Sequence, residues 1–265
     1  MNILLANDDG IDSPGIKALA DALKDEYDIY IAAPLSQRSA YSHSVTYFYR
    51  KNRAERREIE GVKEAYAIDC TPADCTYYGV NGLFQKKMDL VISGINIGRN
   101  LASDVIYSGT VAAAGEAMIQ KVPGIAVSLC SYQASDFKAA ADAVKQIIPY
   151  FMNCPQKDSF ILNINVPDLP ENEIKGIRVT DLHDHVDYAR PVEREEKDGE
   201  LFLFINDDDM RDPESSKERI SDVEAVNAGY IAVTPLYYDL CARDNINDLL
   251  HMETIRLNEE GEYAL

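Results

Sequence analysis

The sequence predicts an α/β fold built on a mostly parallel β-sheet. Three observations predict it. Short apolar runs alternate with helical patterns from residue 3 to residue 165, the chain opens with a β-α-β unit, and several helix starts carry an N-cap followed by proline. Residues 3–6 form a short apolar run, better suited to a buried strand than to a helix. Ser13-Pro14 supplies an N-cap and a proline at the first helical position, and 15–24 carries the helix. Residues 27–33 make a second strand closed by Pro34, so the opening pair is parallel with a right-handed crossover. A strand at 65–69 leads into Thr71-Pro72-Ala73-Asp74, again an N-cap with proline behind it. Strands follow at 89–92, 124–129 and 160–165, with an alanine-rich helix at 111–121 and a long helix at 136–151.

Beyond about residue 170 the rhythm changes. Residues 177–180, 201–205 and 230–233 read as strands without regular helices between them, and Ser221-Asp222-Val223-Glu224 is a capping box that starts a short helix. The stretches 193–200 and 206–214 are charged and expected to be exposed. The chain therefore divides into an α/β core, 1–170, and a C-terminal α+β extension, 171–265, suited to self-association.

The 265 residues are enough to bury a core without disulfide or metal staples. With 26 basic and 45 acidic residues, the net charge of −19 repels polyanions, which argues against nucleic-acid polymers and anionic membranes as partners. A small phosphate compound stays compatible, because a bound cation reverses the local charge. Five cysteines without a CxxC pair exclude zinc ribbons and thioredoxin-type sites and fit a reducing compartment. Residues 1–6 run directly into Asn7-Asp8-Asp9-Gly10, with no basic n-region or long apolar h-region, so the expected location is the cytoplasm.

Three constellations carry the chemistry. Asp8 and Asp9 stand at the C-terminal end of the first strand, where open α/β sheets bind ligands. Two carboxylates about 4 Å apart repel by about 4 kcal/mol at an effective dielectric near 20, a cost that a divalent cation removes. Their side chains converge only if the chain has turned, which Gly10 permits. Taken alone, Asp-Asp-Gly is more often a solvated turn. Ser93-Gly94-Ile95-Asn96 follows a neighbouring strand and offers the Asn96 carbonyl oxygen, and Ser39 offers a hydroxyl after the second strand. Such an all-oxygen set suits magnesium or manganese. Third, Ser108-Gly109-Thr110 opens the alanine-rich helix, whose free N–H groups and dipole suit a phosphate, although an ordinary Ser/Thr cap reads the same way in isolation.

Other features carry less. His183-Asp184-His185 has ligand-like spacing but lies in the less regular part of the chain, and Asp207-Asp208-Asp209 lacks the EF-hand pattern. His43, four residues after Ser39, is as compatible with a structural role as with a catalytic one. There is no Walker A segment, GxGxxG or GxSxG elbow.

Taken together, 3–11, Ser39 within 37–46, Thr71-Pro72-Ala73-Asp74-Cys75, the run 93–114, Asn163-Ile164-Asn165-Val166-Pro167 and two stretches within 228–236 resemble the SurE (survival protein E) family of 5′/3′-nucleotidases. The resemblance covers nearly the whole chain. It implies a Rossmann-like core with helices on both faces of the sheet and a C-terminal part exchanged between subunits, hence a homodimer or homotetramer. It implies one divalent cation, magnesium or manganese, per subunit, held at Asp8, Asp9, Ser39 and Asn96. Ser108, Gly109 and Thr110 would receive the phosphate, and Asp8, Asp9 and Asn96 would be the catalytic group. The implied activity is hydrolysis of nucleoside 5′- and 3′-monophosphates, extending in some members to polyphosphate. Ala40 departs from the glycine found in many members, Ala102-Ser103 replaces the usual glycine and acidic residue, and Ser221 replaces threonine.

Two rivals stand beside this reading. A receiver-like signalling domain also binds magnesium with paired acids, but needs a phospho-accepting aspartate where this chain has Ser93. A catalytically silent nucleotide- or metal-binding protein would keep the same ligand set.

Overall fold

A computed structural model describes residues 1–133, 135–183, 192–197, 199–205, 219–238, 240–254, 256–257 and 263–264. Thirteen strands occur among these residues: β1 (Asn2–Ala6), β2 (Asp28–Pro34), β3 (Ala54–Arg57), β4 (Glu64–Ile68), β5 (Leu90–Ile97), β6 (Gly124–Cys130), β7 (Ile161–Pro167), β8 (Ile177–Val179), β9 (Val192–Lys197), β10 (Glu200–Ile205), β11 (Ile231–Leu236), β12 (Arg256–Leu257) and β13 (Tyr263–Ala264). The helices are α1 (Pro14–Leu23), α2 (Pro72–Tyr78), α3 (Asp104–Tyr107), α4 (Gly109–Ile119), α5 (Lys138–Met152), α6 (Asp222–Asn227) and α7 (Ile246–Leu249).

Nine strands form one sheet in the order β3-β4-β2-β1-β5-β6-β7-β11-β8. Its centre is parallel, as the apolar runs predict, and the antiparallel pairs are β3 with β4 and β11 with β7. Parallel strands are buried on both faces, and β1 shows why its sequence is apolar without alternation. Ile3 and Leu5 pack with Ile16, Leu19 and Leu23 of α1 and Val144 and Ile147 of α5. Leu4 turns to the other face, with Cys75 of α2 and Ala117 of α4. Helices therefore cover both faces, and residue parity after β1 decides which helix layer a side chain meets.

The helix starts are where the sequence places them. Ser13 accepts from the Ile16 N–H, and Thr71 and Ser221 each make reciprocal capping boxes, with Asp74 and Glu224. Strand β5 runs further than the apolar stretch 89–92, through Asn96, with a register shift against β6 between Ser93 and Asn96. Asn96 thus lies on a bulged strand end rather than in a free loop. Strand β3 was not foreseen: Ala54-Glu55-Arg56-Arg57 is a charged edge strand whose only partner among the described strands is β4, so no apolar alternation marks it.

Among the described residues of 171–265, β8 and β11 join the main sheet, whereas β9 and β10 pair only with each other. Glu193, Glu195 and Glu196 on β9 are exposed, as the charged stretch predicts. The aspartates 207–209, the residues 206–214, Asp184 and His185 lie outside the described residues. No helix among the described residues is long and apolar enough to cross a membrane.

Candidate active site

The site begins where β1 ends. Asn7 is fully buried, and its amide closes the turn that follows: Nδ2 donates to the Gly10 carbonyl at 2.8 Å and to Ser13 Oγ at 2.8 Å, and Oδ1 accepts from the Gly10 N–H at 3.2 Å. Gly10 sits at φ +95°, a left-handed conformation that glycine adopts freely and residues with a Cβ rarely do. The chain therefore turns directly after β1, with Asp8 and Asp9 close enough for the charge of Asp9 to act on Asp8.

Asp8 points to the α4 face. The Thr110 hydroxyl donates to its Oδ1 at 2.6 Å, across 102 positions of sequence. Gly109 lies so close that an added Cβ would come within 2.8 Å of the Asp8 Cβ and 3.1 Å of Pro72 Cγ, so only glycine fits between the carboxylate and the start of α2. Asp9 turns to β5, where the Ile97 N–H donates to its Oδ2 at 3.2 Å. Asn96 is nine-tenths buried and donates through Nδ2 to the Gly98 carbonyl at 2.8 Å, which leaves its Oδ1 as the end available to a ligand. The loop after β2 is drawn in by the Arg38 N–H, which donates to the Asp8 carbonyl at 2.7 Å. Ser39 follows it, exposed, with its hydroxyl accepting from Gln37 Nε2 at 3.0 Å.

Burial pushes the Asp8 carboxyl up from 3.8 to about 6; the Thr110 hydroxyl bond pulls against this and the Asp9 charge adds to it. Burial also raises Asp9, offset in part by the Ile97 N–H. Among the described residues no Lys, Arg or His forms an ion pair with either carboxylate. Nor do three or more His, Cys, Asp or Glu side chains gather anywhere among them, so a cation here would complete its shell with neutral oxygens. Ser39 and Asn96 offer such oxygens, and the donor set fits a hard divalent ion.

At the start of α4, Ser108 accepts from the Val111 N–H at 3.1 Å and keeps its own hydroxyl proton to donate. Thr110, by contrast, spends its hydroxyl on Asp8. Of the segment 108–110, the Ser108 hydroxyl therefore keeps a proton to donate, whereas the Thr110 backbone N–H, like its hydroxyl, acts on Asp8.

The structure gives a role to residues that the sequence marked only as motif positions. Asn163 and Asn165 donate to the Asn100 carbonyl at 2.8 and 3.0 Å, Asn100 Nδ2 donates to Ser128 Oγ at 2.8 Å, and Asp222 accepts from the Ala102 N–H at 2.9 Å. These bonds fix the loop between Asn96 and α3. The role of Asn7 had a local signal, since an Asn three residues before Gly marks a side-chain-closed turn. The Asn100 network had none. His183 is buried, with Nδ1 bonded to Ser221 Oγ at 3.0 Å and its N–H on Asp222, a contact internal to the packing of α6.

The chain is similar to known proteins in sequence and in fold. Residues 3–188 match the model of the survival protein SurE family. A 5′-nucleotidase SurE from Histophilus somni (strain 2336) is 41% identical over 249 residues, covering 94% of this chain and 97% of that one. A 5′-nucleotidase SurE from Gloeobacter violaceus is 42% identical over 243 residues, covering 91% of each. The crystal structure of the SurE protein from Aquifex aeolicus superposes with a TM-score of 0.81 at 35% identity, over 96% of this chain and all of that one. With the family match spanning most of the chain and the fold shared from end to end, this protein belongs to the SurE family.

Proposed function

We propose that the chain is a divalent-metal-dependent phosphatase that hydrolyses nucleoside 5′- and 3′-monophosphates, and short polyphosphate in addition. The observation that carries this reading is the pair Asp8 and Asp9: two adjacent carboxylates, both raised by burial, with no basic partner among the described residues. Asp8, Asp9, Ser39 and Asn96 would hold one magnesium or manganese ion. When bound, that ion supplies Lewis-acid polarisation of the phosphoryl oxygens and lowers the pKa of water. The relatives named as 5′-nucleotidases support the substrate class.

The chain's own residues do the rest. Thr110 holds the Asp8 carboxylate in one orientation through its 2.6 Å bond. Asp8 or Asp9 orients the attacking water, and Asn96 steadies the same end of the site. The Ser108 hydroxyl and the backbone N–H groups at the start of α4, with the helix dipole, stabilise charge on the equatorial oxygens of the phosphoryl group. Thr110 acts here through Asp8, since its hydroxyl is already engaged.

The same reading places residues 171–265 in self-association, as a homodimer or homotetramer in the cytoplasm. Leu201, Phe202, Leu203 and Phe204 on β10 are all exposed, an apolar stretch that a second copy would cover. All five cysteines are free thiols, which supports a reducing compartment.

Phosphate release from a panel of nucleoside monophosphates and short polyphosphate, with manganese, magnesium or EDTA, tests the proposal. Metal-dependent release that EDTA abolishes, and that Asp9→Asn removes while the fold persists, is expected. A folded protein that releases no phosphate with any metal would instead be a silent binder of nucleotide or metal.

A further inference from the structure

We propose that His43 is a positioning residue: its 2.8 Å contact with Glu116 fixes the turn that carries Ser39 against helix α4, and so sets the affinity of the cation site. This rests on Ser39 being a ligand, as proposed above.

Ser39 is poorly held by its own side chain. It is exposed, and among the described residues its hydroxyl bonds only with Gln37 of the same loop. Its place is therefore set by the backbone on either side. On the N-terminal side the Arg38 N–H is bonded to the Asp8 carbonyl. On the C-terminal side the backbone works against itself: Ala40 and Ser42 stand at φ 59° and 51°, left-handed conformations that residues with a Cβ adopt only at a cost. A turn of this kind keeps its shape only if contacts outside it hold it.

Those contacts converge on the segment around α3 and α4. The Ser42 N–H donates to the Tyr107 carbonyl at 3.0 Å, and its hydroxyl donates to the Ile106 carbonyl at 2.7 Å. His43 then reaches Glu116, which is almost fully buried on α4, the helix that begins with Gly109 and Thr110. The other Glu116 oxygen accepts from Gln120 Nε2 at 2.8 Å, so the carboxylate cannot swing away. On its far side the imidazole meets the Tyr238 ring edge-on at 5.5 Å, and Tyr238 is itself bonded to the Val111 carbonyl at 3.1 Å. His43 thus joins the Ser39 turn to the helix whose first residues touch Asp8. Its Nε2 is committed to a buried carboxylate, so it acts through the turn rather than on substrate.

The test is manganese affinity of the full chain, measured by isothermal titration on wild type, His43→Ala, Ser39→Ala and the double variant. His43→Ala should raise the Kd about tenfold, the scale of losing a group that orients a ligand. In the Ser39→Ala background the same change should cost less than about twofold, because no ligand is left to position. Glu116→Ala should match His43→Ala, whereas Glu116→Gln, which keeps an acceptor for the imidazole, should stay near wild type. His43→Asn, too short to reach Glu116, is the second variant should His43→Ala not fold, and the same loss is expected of it. An unchanged Kd in the His43 variants, or an equal loss with and without Ser39, overturns the inference alone. Wild type that binds no manganese overturns the cation-site reading and this one with it.

Discussion

Replacing Asp8 with Asn should make the metal-free protein more stable at neutral pH. Asp8 is 3% exposed and its carboxyl is raised from 3.8 to about 6, mainly because burial disfavours the charged form. At 1.36 kcal/mol per pH unit, holding it ionised costs the fold about 3 kcal/mol. The sign follows from the direction. A carboxyl whose pKa is raised on folding contributes stability that is fully present below 3.8 and is lost as pH rises through about 6. Asn cannot ionise, and its carbonyl oxygen still accepts from Thr110. In EDTA, at one fixed protein concentration, Asp8→Asn should therefore match wild type near pH 4. Its advantage should grow between pH 4 and pH 6 and level off at about 3 kcal/mol, or roughly 6–12 °C in Tm for a domain of this size. Manganese should reverse the order, since it stabilises only the protein that binds it. Thermal and urea unfolding across pH would show this. A difference that does not vary with pH, or a variant less stable than wild type at pH 8 in EDTA, refutes the argument that Asp8 is a buried charge awaiting a counter-ion.

Thr110→Val keeps the volume of the side chain but removes its 2.6 Å bond to Asp8. Stability at pH 8 should fall by about 1.5–3 kcal/mol, the range for a hydrogen bond to a charged group, and urea unfolding reads it directly. Gly109→Ala puts a methyl group 2.8 Å from the Asp8 Cβ and 3.1 Å from Pro72 Cγ. Overpacking of this kind costs about 1–3 kcal/mol, and phosphate release should be lost with the carboxylate displaced; retained turnover would show that the contact relaxes easily. Ala40→Gly relieves a left-handed backbone at φ 59° at an exposed position, where no buried methyl is lost, and should stabilise the protein by about 0.5–1 kcal/mol after allowing for the freer unfolded chain, measured as a rise in the urea midpoint.

The fold was legible where neighbours in sequence are neighbours in space. The apolar runs that became β1, β2, β4, β6 and β7, and the caps at Ser13, Thr71 and Ser221, each depend on a few adjacent residues. The paired aspartates and the segment 108–110 were likewise visible as motifs, and the structure brings Asp8 against Gly109 and Thr110. What the Thr110 hydroxyl does was not visible, because its partner lies 102 residues away and a Ser-Gly-Thr before a helix reads as a cap or an anion site. Strand β3 escaped because an exposed edge strand needs no apolar alternation. The departures at Ala40 and Ala102 were visible as substitutions for glycine, but only the backbone shows that both stand at positive φ.

The order of strands carries a consequence for how the protein is made. From β1 the sheet grows outward largely as the chain emerges, with β2 and β4 on one side and β5, β6 and β7 on the other. Strand β8 emerges next but has no seat of its own, since its only partner among the described strands is β11, which is inserted between it and β7. Until residue 236 has left the ribosome, the outer rim of β7 offers unpaired backbone groups beside a nascent β8 that has nothing to pair with. A ribosome stalled between residues 180 and 230 would present that rim to its neighbours in a polysome, and such an edge templates aggregation. Among the described strands β11 is the last to join this sheet, so closure of the sheet waits on residue 236.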